Sequence, residues 1–150
     1  MSLLNEFVNS ISDPQLAESI QDRIDIIEHK IKFRDPVPVY VASNLLSGDN
    51  LLKEMIERAG GILVSEPSAS KTIIYMNDGQ TISLTMNEII SQVNPSWEAA
   101  QLKQVYIITK AYTHATIDIE LLETLAEIIH PGFFVFGLEG SDWLRFDIEA

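Results

Sequence analysis

The chain has 150 residues, 46% of them hydrophobic and 21% charged, which are globular proportions and enough length for one domain with a real core. Its net charge of −12, from 22 acids against 10 bases, repels phosphate backbones and anionic membranes, so nucleic-acid binding is not expected; an acidic surface serves either solubility or a cationic partner. With no cysteine, disulfides, thiolate zinc sites and cysteine nucleophiles are excluded.

Leu3, Leu4, Phe7, Val8 and Ile11 recur at helical spacing and predict a short first helix. Ser12-Asp13-Pro14 breaks it. Asp13 is placed to cap, and Pro14 to open, a second helix over 14–31 with Leu16, Ile20, Ile24, Ile27 and Ile31 on one face. Arg34-Asp35-Pro36 ends it, because a residue before proline avoids helical geometry. Residues 37–42 read as a strand, with Pro38 suggesting an edge or a strand entrance. A polar loop over 43–50 feeds a helix stopped by Gly60-Gly61.

Residues 62–64 and 72–76 read as further strands. Asn77-Asp78-Gly79 is a turn signal compatible with a hairpin. A helix follows from Ser83 until Asn94-Pro95 closes it, and 96–104 is a linker with room for one helical turn near Trp97. Residues 105–109 form a second strongly marked strand. Asp118 is placed to cap a helix that buries Leu121, Leu122, Leu125, Ile128 and Ile129 and stops at His130-Pro131. Residues 133–136 and 143–148 look like two last strands joined by a turn, or else a hydrophobic tail clamp. The alternation of strand, loop and helix predicts an α/β fold: a three-layer sandwich around a mostly parallel sheet. Its organisation reads as a helical segment over 1–35 and an α/β lobe over 36–150, together one compact domain.

The segment order resembles the C-terminal lobe of periplasmic substrate-binding proteins for siderophores, haem and cobalamin, whose two lobes are joined by one long helix. Four runs carry the resemblance. A helix ends just before Pro36-Val-Pro-Val-Tyr-Val41. Leu51-Leu-Lys-Glu-Met-Ile-Glu-Arg-Ala-Gly-Gly61 is similar to the family's helix ending in Ala-Gly-Gly. Ile82-Ser-Leu-Thr-Met-Asn-Glu-Ile-Ile-Ser-Gln-Val-Asn-Pro95 is similar to its "ISLEELLALNPD" segment, and Val105-Tyr-Ile-Ile with Leu122 to Pro131 is similar to its closing strand and "LAEILHP" helix. The resemblance makes 1–35 the remnant of a connecting helix. It departs from the family after Asn94-Pro95, where a strand and its ligand loop are missing, and no N-terminal lobe is present.

In such a fold, ligand loops follow the carboxyl ends of parallel strands. Asn44, Tyr112 and His114 are the ligand-binding candidates: an aromatic ring packs on a macrocycle, and an imidazole donates, accepts or ligates. The plainer reading is that Tyr112 covers the sheet end and His114 is a solvated loop residue. The resemblance implies hydrophobic metal chelates, haem or corrinoids as ligand classes, and a partner-docking role for Glu57. Glu54 and Glu57 equally suit an ordinary solvated helix face. His130 reads as a helix cap whose cation would complement the dipole, and His29 as exposed and inert. No nucleophile elbow, phosphate-binding loop, zinc-protease helix or dinucleotide fingerprint occurs, so no enzyme, metal site or cofactor is expected.

The expected function is a non-enzymatic small-ligand binding module. The alternative is an interaction module that forms a homodimer or binds a separate partner lobe. No apolar run is long enough to insert in a membrane, and no leader is visible. The sequence as it stands reads as cytoplasmic, or as periplasmic where a signal peptide has been removed.

Overall fold

A computed structural model describes residues 3–42, 50–76, 81–109, 119–131, 133–134 and 136–146. The elements in chain order are α1 (Leu3–Ser10), α2 (Pro14–Ile31), β1 (Val37–Ala42), α3 (Asn50–Arg58), β2 (Gly61–Leu63), β3 (Thr72–Met76), α4 (Ile82–Gln92), α5 (Glu98–Gln101), β4 (Val105–Ile108), α6 (Ile119–Ile129) and β5 (Trp143–Arg145). A 3-10 turn, Pro67–Ala69, joins β2 to β3.

Local chemistry sets several boundaries. Asp13 caps α2 as expected, its Oδ1 accepting from the Gln15 amide at 3.0 Å, with Pro14 in the first turn, where its missing N–H costs nothing. Thr81 caps α4 through its hydroxyl, so the helix opens at Ile82, one residue before Ser83. Gly60 ends α3 with φ +93°, a conformation that a side chain resists. A Cβ there would also overlap the His130 imidazole, while at Gly61 it would come within 2.9 Å of Ile56.

The five strands lie in the order β2-β1-β3-β4-β5. The first four are mutually parallel, and β5 runs antiparallel to β4. Each face of the sheet carries helices. On one, α2, α3 and α6 bury Ile24, Ile27, Ile56, Leu122 and Leu125 against Val39, Ile74, Met76, Tyr106 and Ile108. On the other, α4 and α5 cover Ile73, Tyr75, Val105 and Ile107 with Ile89, Val93, Ala99 and Ala100. The fold is therefore the expected three-layer α/β sandwich. Both faces of β3 and β4 are buried, which is why these strands read as continuous apolar runs rather than alternating ones.

Three local expectations are resolved. Asn77-Asp78-Gly79 lies outside the described residues, and β3 before it has no hairpin partner among them, since both its neighbours are parallel to it. Of the two readings of the tail, paired strands or a clamp, the described residues support the clamp. Phe134 makes only an isolated bridge to Pro131, and β5 pairs with β4. Pro38 lies in an interior strand, at its entrance. Its carbonyl accepts from Lys71, so its missing N–H falls on the β3 side, before β3 comes into register at Val39↔Thr72. Between Gln92 and Val105, where every residue is described, only α5 intervenes, and β3 pairs directly with β4.

Polar clamps tie the outer helices and the tail to the core. Arg23 on α2 makes a two-pronged ion pair with Glu123 on α6, its Nε 3.1 Å from Oε2. The buried Glu127 carboxylate accepts from the Phe136 amide at 2.8 Å and from the Trp143 indole at 3.1 Å. This holds the aromatic tail against α6, with Trp143 edge-on to Tyr106.

Candidate functional site

The chain leaves β1 toward β2 on one side and returns to β3 on the other. That reversal makes the carboxyl ends of β1 and β3 the switch point of the sheet, where ligands of open α/β folds bind. The segments leaving this edge follow Ala42, Met76 and Ile108. Asn44, Tyr112 and His114 lie in two of them, outside the described residues, as does Asp118.

The described part of this edge is mixed in character. Tyr40 and Ala42 pack against the α4 side of the sheet. The Tyr75 hydroxyl donates to Gln92 Oε1 at 2.9 Å. Burial first, then the neighbouring Tyr40 and Glu88, push its pKa up to about 12, so it remains a neutral donor at ordinary pH. Burial raises the Tyr106 phenol too.

A further wall escaped the sequence reading. Because β5 is antiparallel, its first residue, Trp143, sits beside Ile108 at the carboxyl end of β4. The turn before it therefore comes to the same edge. Thr109 donates its amide to the Asp142 carbonyl at 2.8 Å and its hydroxyl to the Ser141 carbonyl at 3.2 Å. Ser141 also donates to the buried Asp142 carboxylate at 3.1 Å. The polar run Gly137–Asp142 was visible in the sequence, but its place depends on the direction of a three-residue strand.

The opposite end of the sheet holds a groove of about 520 Å³, lined by Glu28, Ile31, Lys32, Arg34, Pro36, Glu54, Glu57, Arg58, Gly60 and Gly61. Here the last turns of α2 and α3 meet. Arg58 is held by Glu28 at 2.6 Å and Glu54 at 3.4 Å. Glu57 is exposed on the final turn of α3. It lies at the amino edge of the sheet, remote from the strand ends that lead to Asn44, Tyr112 and His114.

His130 abuts this groove. Its ring is buried, with Nε2 3.1 Å from the Gly60 carbonyl. A carbonyl only accepts, so Nε2 carries the proton. Burial lowers its pKa, the Gly60 hydrogen bond opposes this, and the Arg34 charge adds to the lowering. The expectation of a cation complementing the helix dipole is thus corrected: desolvation favours the neutral ring, which tethers α6 to the end of α3. His29 is exposed on α2. Among the described residues, no three His, Asp or Glu side chains come together to hold a metal ion, and no helix is long and apolar enough to cross a membrane.

No protein-family model matches the chain, and no curated protein matches it. Solved structures do. A TroA-like periplasmic binding protein, FepB, from Veillonella parvula aligns at 13% identity with a TM-score of 0.58, over 80% of this chain and 47% of that one. An ABC transporter substrate-binding protein from Listeria monocytogenes EGD-e aligns at 12% identity with a TM-score of 0.54, over 77% of this chain and 56% of that one. The chain spans about half the length of these relatives. At such identity the likeness is one of fold: a mostly parallel α/β sandwich shared with substrate-binding proteins of ABC transporters.

Proposed function

We propose that this chain is a non-enzymatic small-ligand binding module, equivalent to the C-terminal lobe of a metal-chelate or cobalamin substrate-binding protein. The observation that carries this reading is the switch point between β1 and β3, in a sheet whose fold is that of ABC-transporter substrate-binding proteins. Asn44, Tyr112 and His114 contact the ligand, and Thr109 and Ser141 rim the same edge. Tyr112 supplies an apolar face, and His114 a hydrogen bond or a ligating nitrogen. Siderophore chelates, haem and corrinoids suit an aromatic platform of this kind. Glu57 is the contact for a docking partner, and the periplasm is the compartment in which such a module works.

Equilibrium dialysis against ferrioxamine, haemin and cyanocobalamin tests the proposal. Saturable binding of one of them, weakened at least tenfold by Tyr112→Ala, is expected. No saturable binding, or equal affinity in the variant, overturns it.

A second reading, assembly with another copy or with a separate partner lobe, has its own support. The sheet ends at β2, whose Ile62 and Leu63 are 48% and 37% exposed, and open strand edges pair with other chains. Native mass spectrometry separates the two readings. A monomer with a defined extra mass supports ligand binding, and a clean dimer without one supports assembly.

A further inference from the structure

We infer that Thr109 is a positioning residue of the carboxyl edge: through it, the turn over 138–143 fixes the direction in which the chain leaves β4 toward Tyr112 and His114. That those two residues contact a ligand rests on the carboxyl-edge reading proposed above, whereas the bracket formed by the turn is a property of the fold.

Up to Ile108, β4 is held on both sides, by Met76 of β3 and by Trp143 of β5. Past it, the register with β3 stops at Met76, and Thr109 is tied to the turn before β5. Its amide donates to the Asp142 carbonyl at 2.8 Å, one further rung of the antiparallel ladder, and its hydroxyl donates to the Ser141 carbonyl at 3.2 Å. A single rung at a strand end frays easily. The second bond comes from a side chain that is stiff about its first torsion, so it fixes the main chain of Thr109 as well as the hydroxyl.

The turn itself is tightly closed. The Leu138 carbonyl accepts from the Ser141 amide at 3.2 Å and the Asp142 amide at 2.8 Å, and the Gly140 amide donates to the Trp143 carbonyl at 2.7 Å. Gly140 has φ +90°, a conformation that a side chain resists. With their amides used inside the turn, Ser141 and Asp142 offer their carbonyls to Thr109. The far end is anchored in the core. The Trp143 indole donates to the buried Glu127 carboxylate at 3.1 Å, and its ring stands edge-on to Tyr106 with centroids 5.4 Å apart. A continuous line of contacts therefore runs from α6, through Trp143 and the turn, to the first residue after β4. Binding loops work when a rigid scaffold holds their roots, and Thr109 is the root of the run that carries Tyr112 and His114.

Thr109→Val removes the hydroxyl at nearly constant shape, and Thr109→Ser keeps it. Both are compared with the unaltered chain by amide hydrogen exchange and by equilibrium dialysis against ferrioxamine, haemin and cyanocobalamin. In Thr109→Val, exchange at the position 109 amide, corrected for its intrinsic rate, should quicken about fivefold relative to that of Ile107, the factor for one neutral hydrogen bond. Affinity for whichever compound the unaltered chain binds should fall by a similar factor, and Thr109→Ser should restore both values. Gly140→Ala strains the turn without removing a hydrogen-bonding group, and should quicken the same amide with Thr109 intact. Unchanged exchange at Ile107 in each variant checks that the sheet is retained. Unaltered exchange at position 109 in Thr109→Val, a Thr109→Ser chain that behaves like Thr109→Val, or quickened exchange with undiminished affinity overturns the positioning role. Failure of the unaltered chain to bind any of the three compounds counts against the carboxyl-edge reading alone, and the exchange data still decide the bracket.

Discussion

Removing the Glu127 carboxylate tests how the aromatic tail is attached. This side chain is buried and accepts two hydrogen bonds, from the Phe136 amide and the Trp143 indole. Hydrogen bonds to a charged group contribute about 1.5–3 kcal/mol each, and a buried donor left unmatched loses its full desolvation cost. Glu127→Ala orphans both donors and should destabilise the fold by about 3–5 kcal/mol. Glu127→Gln keeps one acceptor oxygen but turns an N–H toward the other donor, for a loss of about 1.5–3 kcal/mol. Urea unfolding followed by tryptophan fluorescence reads both values, and Trp143 reports on the tail itself. Trp143→Phe keeps much of the ring packing while deleting the indole donor, so in the Glu127→Ala background it should cost about 1–2 kcal/mol less than alone. A loss below about 1 kcal/mol in Glu127→Ala, with no coupling to Trp143→Phe, would refute the clamp.

Gly60→Ala should cost about 2–5 kcal/mol, from a left-handed backbone combined with the overlap at His130; thermal melts of G60A and of G60A with His130→Ala should show the second change recovering part of the loss. The His130 pKa is lower in the folded chain than the ordinary 6.5, so the unfolded chain takes up its proton first. Stability should be complete above about pH 6.5 and fall as pH drops below it toward the folded value, a slope that urea unfolding at several pH values should find reduced in His130→Gln. Tyr75 shifts the other way. Its folded pKa of about 12 keeps its contribution whole below about pH 10 and removes it as pH rises toward 12. Tyr75→Phe should lose about 1 kcal/mol at neutral pH, with the missing Gln92 hydrogen bond, and the corresponding step should vanish from an ultraviolet titration.

The elements legible in the sequence are those whose signal is local. Asp13-Pro14 starts α2 by a cap and a first-turn proline, and Gly60 stops α3 by a backbone conformation; neither depends on the rest of the chain. The buried stripe Ile20, Ile24, Ile27 follows helical spacing as read, while Leu16 at the start of the same stripe is 51% exposed. What failed was pairing. Asn77-Asp78-Gly79 carries the residues of a hairpin turn, but the long-range register Ile73↔Val105 makes β3 parallel to its successor. The tail stayed between two readings, paired strands or a clamp, for the same reason. Residues 133–136 have strand-like composition, yet Glu127 takes the Phe136 amide that a strand partner would have used. Such an acceptor lies elsewhere in the chain, and no pattern within the tail announces it.

The two ends of the sheet were unequally visible for a related physical reason. At the carboxyl edge, the rule that loops follow parallel strands identifies a site once the strands are known, and Asn44, Tyr112 and His114 were named that way. The amino-edge groove has no such rule. It exists because α2 and α3 end side by side, and its charges come from three positions on α2 and the turn beyond it and three on α3. In sequence, Glu54, Glu57 and Arg58 look like any solvated helix face, and Lys32 and Arg34 like an ordinary helix end with a favourable dipole contact. Only the packing of one helix end against the other brings Glu28 of α2 to Arg58 of α3 and sets Arg34 on Phe133, a residue about a hundred positions away. A groove assembled from two helix ends therefore leaves no mark in a chain whose composition points only to an acidic surface.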